Sequence, residues 1–261
     1  MLISASKIIT ESVSLYLRNW REIGYYIALL LIVSLAMIFI QQFLFSEETL
    51  VVESLASIEP TYLAYLLYSG VSFVVYLWLS IALVKAIAKC YQDKKSAGVI
   101  TELEQSANII FSAILVSILT SIAIGVGFLL FIIPGIIATV WLLFALYIVA
   151  LEHEKPITAM KESKKLVEGR WWQVFWRLLF PAFILNLAIA LIEGIAIFAL
   201  RVVTENLYII NSVITILGFI MLPVTIIAIV ILYIELKKTP TEEVEPHPEP
   251  DKFKEDRVIA Q

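Results

Sequence analysis

The stretch Asn108–Leu151 reads NIIFSAILVSILTSIAIGVGFLLFIIPGIIATVWLLFALYIVAL and holds no charged residue. A membrane-spanning helix needs about 20 mostly apolar residues, so this stretch is long enough for two. At its centre lies Phe128-Leu-Leu-Phe-Ile-Ile-Pro-Gly-Ile-Ile137, with no charged or strongly polar side chain. Pro134 ends one helix and suits the first turn of the next, while Gly135 relieves the tight backbone. A turn this apolar belongs inside the apolar layer, packed on protein, because lipid-exposed irregular backbone is not tolerated there. The two halves, 108–133 and 134–151, either cross fully or form a re-entrant pair. The second half is about 27 Å long at 1.5 Å per residue, just enough for a thin bilayer core.

Four more apolar runs flank this one: Ile23–Phe45, Tyr62–Ala88, Val174–Leu200 and Leu207–Leu236. The composition agrees. Residues of the set AVILMFWYC make up 61% of the 261, charged residues 16%, and mean hydropathy is +0.92. A soluble domain has roughly 45–50% apolar and about 25% charged residues. So much apolar surface excludes a soluble enzyme, a disulfide scaffold and a disordered chain. The expected fold is an all-α, polytopic integral membrane protein with six transmembrane helices. Cys90 stands alone, which excludes an intrachain disulfide. A net charge of −4, with no basic block interleaved with aromatics, gives no footprint for nucleic acid. The N-terminal residues lack the pattern of a cleavable signal.

The basic residues gather at Lys7, Arg18 and Arg21, at Lys85, Lys89, Lys94 and Lys95, and at Lys155, Lys161, Lys164, Lys165, Arg170 and Arg177. Lys237, Lys238, Lys252, Lys254 and Arg257 complete the set, so that of 19 Lys and Arg only Arg201 falls on the other side. The loop after the first run carries Glu47, Glu48, Glu53 and Glu59 and no base. The positive-inside rule then places both termini in the cytoplasm and the chain in a plasma membrane. Trp20, Trp171, Trp172 and Trp176 fall at the same boundary, where amphipathic rings prefer to sit. Residues 237–261, with four prolines and seven acids, read as a disordered acidic tail whose Phe253–Ile259 segment could dock a partner.

Compared with itself at a shift of 151, the chain matches weakly. Glu11-Ser12, Leu15, Trp20 and Ile23 fall on Glu162-Ser163, Leu166, Trp171 and Val174, and Ile100–Ala107 gives a looser third copy. The expectation is three membrane hairpins, each preceded by a short cytoplasmic amphipathic helix. The first such helix puts Leu2, Ala5, Ile9, Val13, Tyr16 and Trp20 on one stripe, apolar face toward lipid. The third starts at Pro156 and groups Lys161, Lys164 and Lys165. Each base near an anionic leaflet is worth about 1 kcal/mol, so these lysines, with Arg170, Trp171 and Trp172, form a candidate contact for lipid headgroups or a protein partner. Topology determination and solvation would account for the same lysines.

Leu129-Leu-Phe-Ile-Ile-Pro-Gly-Ile-Ile137, then Leu151-Glu152, Pro156, Ala159, Ser163, Leu166 and Gly169-Arg-Trp-Trp172 resemble the glycerophosphoryl diester phosphodiesterase membrane domain family. Related bacterial multi-pass proteins share the IPG turn and the A-x-x-x-S-x-x-L-x-x-G signature. The signature covers about a fifth of the chain, and Glu152-His-Glu-Lys155 replaces a small-residue linker. The resemblance implies a helical membrane domain, in some relatives fused to a phosphodiesterase. That catalytic domain has no counterpart here, so a non-enzyme without cofactors is expected.

Glu193 is the acidic residue set deep in a run, and an intramembrane carboxylate is a functional-site candidate by default. Arg201 eight residues on offers an ion pair, and Asn186 shares its face. Together Glu193 and Asn186 support an alternative, a small-molecule or lipid transporter with a polar cavity. Ala113, Ser117, Ser121 and Gly125 recur every four residues as a packing seam, and Pro181 and Pro223 kink their helices. His153 and His247 have no partner at ligand spacing, so no metal site is expected.

Overall fold

The computed structural model describes residues 2–44, 60–94, 98–205 and 207–239. The acidic loop at Glu47, Glu48, Glu53 and Glu59, Lys95, and the tail from residue 240 with His247, Lys252, Phe253, Lys254, Arg257 and Ile259 lie outside them. Every element among the described residues is a helix. These are α1 (Ala5–Arg18), α2 (Trp20–Leu44), α3 (Pro60–Tyr91), α4 (Val99–Ala107) and α5 (Ile110–Leu130). Then come α6 (Ile132–Leu142), α7 (Ala145–Glu152), α8 (Pro156–Val167), α9 (Trp171–Val203) and α10 (Leu207–Lys238). Six segments are long and apolar enough to span a bilayer: Trp20–Ile40, Leu63–Tyr91, Ile110–Leu130, Ile132–Glu152, Trp171–Val203 and Ser212–Lys238. The protein is membrane-embedded and, among the described residues, all-helical.

The chain breaks between α5 and α6 at Phe131, three residues before the expected proline. Phe131 is extended (φ −164°, ψ 160°), its N–H donates to the Gly127 carbonyl at 3.1 Å, and its carbonyl accepts from the Gly135 N–H at 3.3 Å. Pro134 therefore sits as the third residue of α6, inside the first turn, where a missing N–H leaves no intrahelical bond unmade. Gly135 is helical and has no positive φ, so relief of a tight backbone is not its role. A Cβ at Gly135 would meet the Phe128 ring at 2.4 Å, and one at Gly127 would meet the Gly135 Cα at 3.0 Å. The two glycines let α5 and α6 touch nearly backbone to backbone, with Phe128 folded over the contact.

The expected span 134–151 is two helices, α6 and α7, separated at Leu143 and Phe144. At that break Phe144 is fully buried and stacks on Tyr233 with ring centres 6.0 Å apart. The Ser163 hydroxyl of α8 donates to the Trp141 carbonyl at 2.6 Å. Along α8, Ala159, Ser163 and Val167 are all fully buried against the α5–α7 unit. Small side chains at that spacing let α8 approach closely, and Gly169 (φ +77°) supplies the left-handed turn into α9. That packing is the physical content of the Ala159, Ser163, Leu166, Gly169 spacing.

Helix α1 packs on α9 and α10 with Ile8, Ser12 and Leu15 fully buried, and Leu2, Ile9 and Tyr16 of the stripe expected to face lipid also pack partly against the core. Val13 (39% exposed) and Trp20 (60% exposed), from that stripe, look outward. The tightest core lies where the ends of α3 and α10 meet, with Ile81, Leu83, Ile87, Ile227, Ile231 and Leu232 almost wholly buried. Leu66, Phe183, Ile195 and Phe198, further along α3 and α9, are exposed, as lipid-facing side chains are.

The Gly127–Gly135 contact generates a direct test. Gly135→Ala should overpack α5 against α6 and cost about 1–3 kcal/mol. Thermal unfolding in detergent should show the loss, and Phe128→Ala in the same chain should recover part of it, since the ring is the nearest obstacle. Equal unfolding temperatures for wild type and Gly135→Ala would refute the close contact.

Candidate functional site

Two surfaces gather the chemistry. The first runs along α8 into α9. Lys161, Lys164 and Lys165 are exposed on the face of α8 opposite Ala159, Ser163 and Val167. The Lys164 ammonium stands 4.7 Å from the centre of the Trp141 ring. Beside it lies an apolar groove of about 590 Å³ between Ile133, Ile136 and Ile137 of α6 and Trp171, Trp172 and Phe175 of α9. Trp171 stacks on Phe175 at 5.0 Å, and Trp172, 66% exposed, meets Trp171 edge-on at 4.8 Å. The Trp171 indole N–H is buried and makes no hydrogen bond. The surface thus sets exposed lysines beside an apolar trough, with Glu168 also on its lining.

Arg170 does not share that surface. It is buried, and its guanidinium donates to the carbonyls of Leu166 (2.8 Å), Leu236 (3.0 Å) and Thr239. A cation placed on the last carbonyls of α10 caps that helix and complements its dipole. The sequence places Arg170 with the contact residues because it adjoins them in the chain.

The second surface is one the sequence reading treated only as topology. The ends of α3, α7 and α10, with Gln105 near the end of α4, line an open chamber of about 510 Å³ with Lys85, Lys89, Lys94, Lys237 and Lys238 on its walls. Glu102 of α4 is fully buried and pairs with Lys89. Glu152 accepts from the Tyr233 hydroxyl and pairs with Lys237 at 2.5 Å. Glu235 pairs with Lys238 at 2.7 Å and accepts from the Tyr91 hydroxyl at 3.0 Å. Burial, and then the nearby Lys85 charge, hold the His153 imidazole below its usual pKa, so it is neutral at pH 7. The one sequence signal was Lys85 and Lys89 a helical turn apart in an apolar run. Their meeting with Glu102 depends on how α4 folds back on α3.

Glu193 and Asn186 are not brought into a shared cluster. The Glu193 carboxylate faces α10, where a Cβ on Gly218 would stand 3.6 Å from it. The Asn186 amide donates to the Ala182 carbonyl of its own helix at 2.7 Å. Cys90 is buried, with its thiol 3.4 Å from the Glu22 carboxylate. Among the described residues no group of three or more His, Cys, Asp and Glu converges as metal ligands would.

The family model for a domain of unknown function (DUF7847) matches residues 60–236. The chain belongs to that family. The DUF7847 segment contains both surfaces almost entire, from α3 to Leu236, while α1 and α2 precede it. No curated protein and no solved structure matches the chain significantly.

The Lys89–Glu102 pair gives a stability test. Lys89→Met strands a buried carboxylate, and breaking a buried pair in this way costs about 3–5 kcal/mol. Lys89→Met with Glu102→Gln removes both charges and should restore most of the loss in detergent unfolding. If the double variant unfolds as readily as the single one, burial of the Glu102 charge is wrong.

Proposed function

We propose that this chain is a non-catalytic membrane module that holds anionic phospholipid along α8 and the start of α9. In this reading both termini face the cytoplasm, the long apolar helices form three membrane hairpins of which the middle one is re-entrant, and α1, α4 and α8 are their interfacial lead helices. The observation that carries it is the division of α8 into two faces, with Ala159, Ser163 and Val167 wholly buried and Lys161, Lys164 and Lys165 all exposed. The lysines meet the phosphate, while the neighbouring groove of Ile137, Trp171, Trp172 and Phe175 takes an acyl chain. Exposed indoles at Trp172 and Trp176 favour the headgroup boundary. The likeness of residues 129–175 to the glycerophosphoryl diester phosphodiesterase membrane domains supports a bilayer-bound, organising role. The transporter reading has less behind it, because Asn186 bonds its own backbone and Glu193 lies against α10.

The cavity geometry also favours the re-entrant form of the α5–α6 pair. Phe128 and Ile136 share a 330 Å³ cavity with Pro181 of α9 and Thr225 of α10. Pro181 stands about 15 Å into α9 and Thr225 about 20 Å from the end of α10, at 1.5 Å per residue. The turn at Phe131 comes one helical turn beyond Phe128, and α9 runs on past it to Val203.

Native mass spectrometry of lipids that co-purify with the full chain tests the main reading. Lys161→Gln, Lys164→Gln and Lys165→Gln combined should weaken retention of phosphatidylglycerol or phosphatidic acid on the order of a hundredfold, at about 1 kcal/mol per base. Unchanged lipid adducts would sink it, and a co-purifying protein lost in the variant would replace lipid with a protein partner.

A further inference from the structure

The chamber between α3, α4, α7 and α10 shares no lining residue with the α8–α9 surface and calls for its own explanation. Its volume of about 510 Å³ falls within the roughly 300–1,000 Å³ range of small-molecule sites. Three of its five lysines are answered: Lys89 by Glu102, Lys237 by Glu152 and Lys238 by Glu235. Among the described residues, Lys94 at the mouth and Lys85 in the wall have no ion pair.

Lys85 is the informative one. It is 5% exposed, and its ammonium makes no hydrogen bond. Burying a charge without a partner is among the costliest arrangements in a folded chain. Glu102 is the counter-charge Lys85 shares with Lys89: one carboxylate oxygen pairs with Lys89, and the other is buried without a hydrogen bond and does not reach the Lys85 ammonium. One turn of α3 places Lys85 deeper than Lys89, at the inner end of the chamber. Gln92, Gln105 and the neutral His153 also line it, each able to donate to an oxyanion. His153 is held in the left-handed region (φ 61°), which a residue other than glycine enters at a cost. Apolar walls from Ala88, Ala150 and Ile234 lower the local dielectric, which strengthens a bound ion pair.

We propose that this chamber binds a phosphate group, carried by a small organophosphate or by a lipid headgroup, with Lys85 as the buried cation and Lys94 as the entry cation. The bound phosphate supplies the hydrogen-bonded counter-ion that Lys85 lacks, since Glu102 is shared with Lys89 and does not bond the Lys85 ammonium. Tetrahedral oxyanions fit a ring of flexible lysines, which act as point charges rather than planar forks.

The full-length chain in phosphatidylcholine nanodiscs is titrated with inorganic phosphate and with glycerol 3-phosphate by calorimetry. In a second arm, phosphatidic acid is doped into the nanodiscs and retained lipid is counted by native mass spectrometry. Lys85→Met should weaken binding at least tenfold in one of the two arms, which identifies the source as soluble or lipid. The same substitution should not lower the unfolding temperature in phosphate-free buffer, because it removes a buried charge that makes no hydrogen bond while Glu102 keeps Lys89 as its partner. Lys85→Arg keeps the charge and should retain binding. Lys94→Gln lies at an exposed position and should weaken binding severalfold without touching the fold. Lys161→Gln should leave phosphate binding unchanged, so that failure here and failure of the α8 reading are separable. Binding in neither arm, or binding equal in wild type, Lys85→Met and Lys94→Gln, overturns the proposal.

Discussion

Away from water, every backbone N–H and C=O must find a partner inside the protein, and this constraint governs the whole structure. It makes each described element a helix. It also makes each break in a helix an event that a side chain must answer. The Trp141 carbonyl, next to the α6–α7 break, takes the Ser163 hydroxyl, and the Gly135 carbonyl takes the Thr139 hydroxyl. Pro223 leaves the Phe219 carbonyl of α10 without its helical donor, and the Tyr16 hydroxyl of α1 donates to the next carbonyl, that of Ile220, at 2.9 Å. Arg177, one turn before Pro181, donates to the Gln173 carbonyl and to the Ile3 carbonyl of the N-terminal segment. Arg170 closes the end of α10 in the same manner. The short helices α1 and α8 are therefore part of the hydrogen-bond accounting of the long ones.

Charge obeys the same constraint with a different outcome. The long helices keep most ionisable groups at one end, where α3, α4, α7 and α10 converge. There Glu102, Glu152 and Glu235 neutralise three lysines, and Tyr91 and Tyr233 add hydroxyl donors to two of the carboxylates. Packing is tightest at this same end, so rigidity and charge coincide. A surface that is stiff, cationic and close to an apolar layer differs from an ordinary basic loop, whose lysines are solvated and interchangeable.

Much of this was legible from residue order. The apolar runs gave the six spans and the Pro134 region gave the turn, whereas Ala159, Ser163, Leu166 and Gly169 carried a family resemblance whose packing reason came only from the structure. The readings that moved did so for identifiable reasons. The break fell at Phe131 because a proline in a first turn disturbs nothing. Gly135 served interhelical contact because Phe128 needed room, a fact about two helices at once. Arg170 looked like a surface base because its acceptors, Leu236 and Thr239, lie some 66 and 69 positions away in the chain.

The sequence by itself determined the solvent of this protein, its all-helical character and the segregation of its basic residues. Those properties follow from composition and from periodicity along one strand of chain, and no neighbour is needed to read them. Only tertiary structure decided which lysines are paired, that Lys85 is buried without a partner, and that α8 turns its small residues inward and its lysines outward. Pairing and burial depend on distances between segments far apart in sequence, and helix periodicity carries no information about those distances.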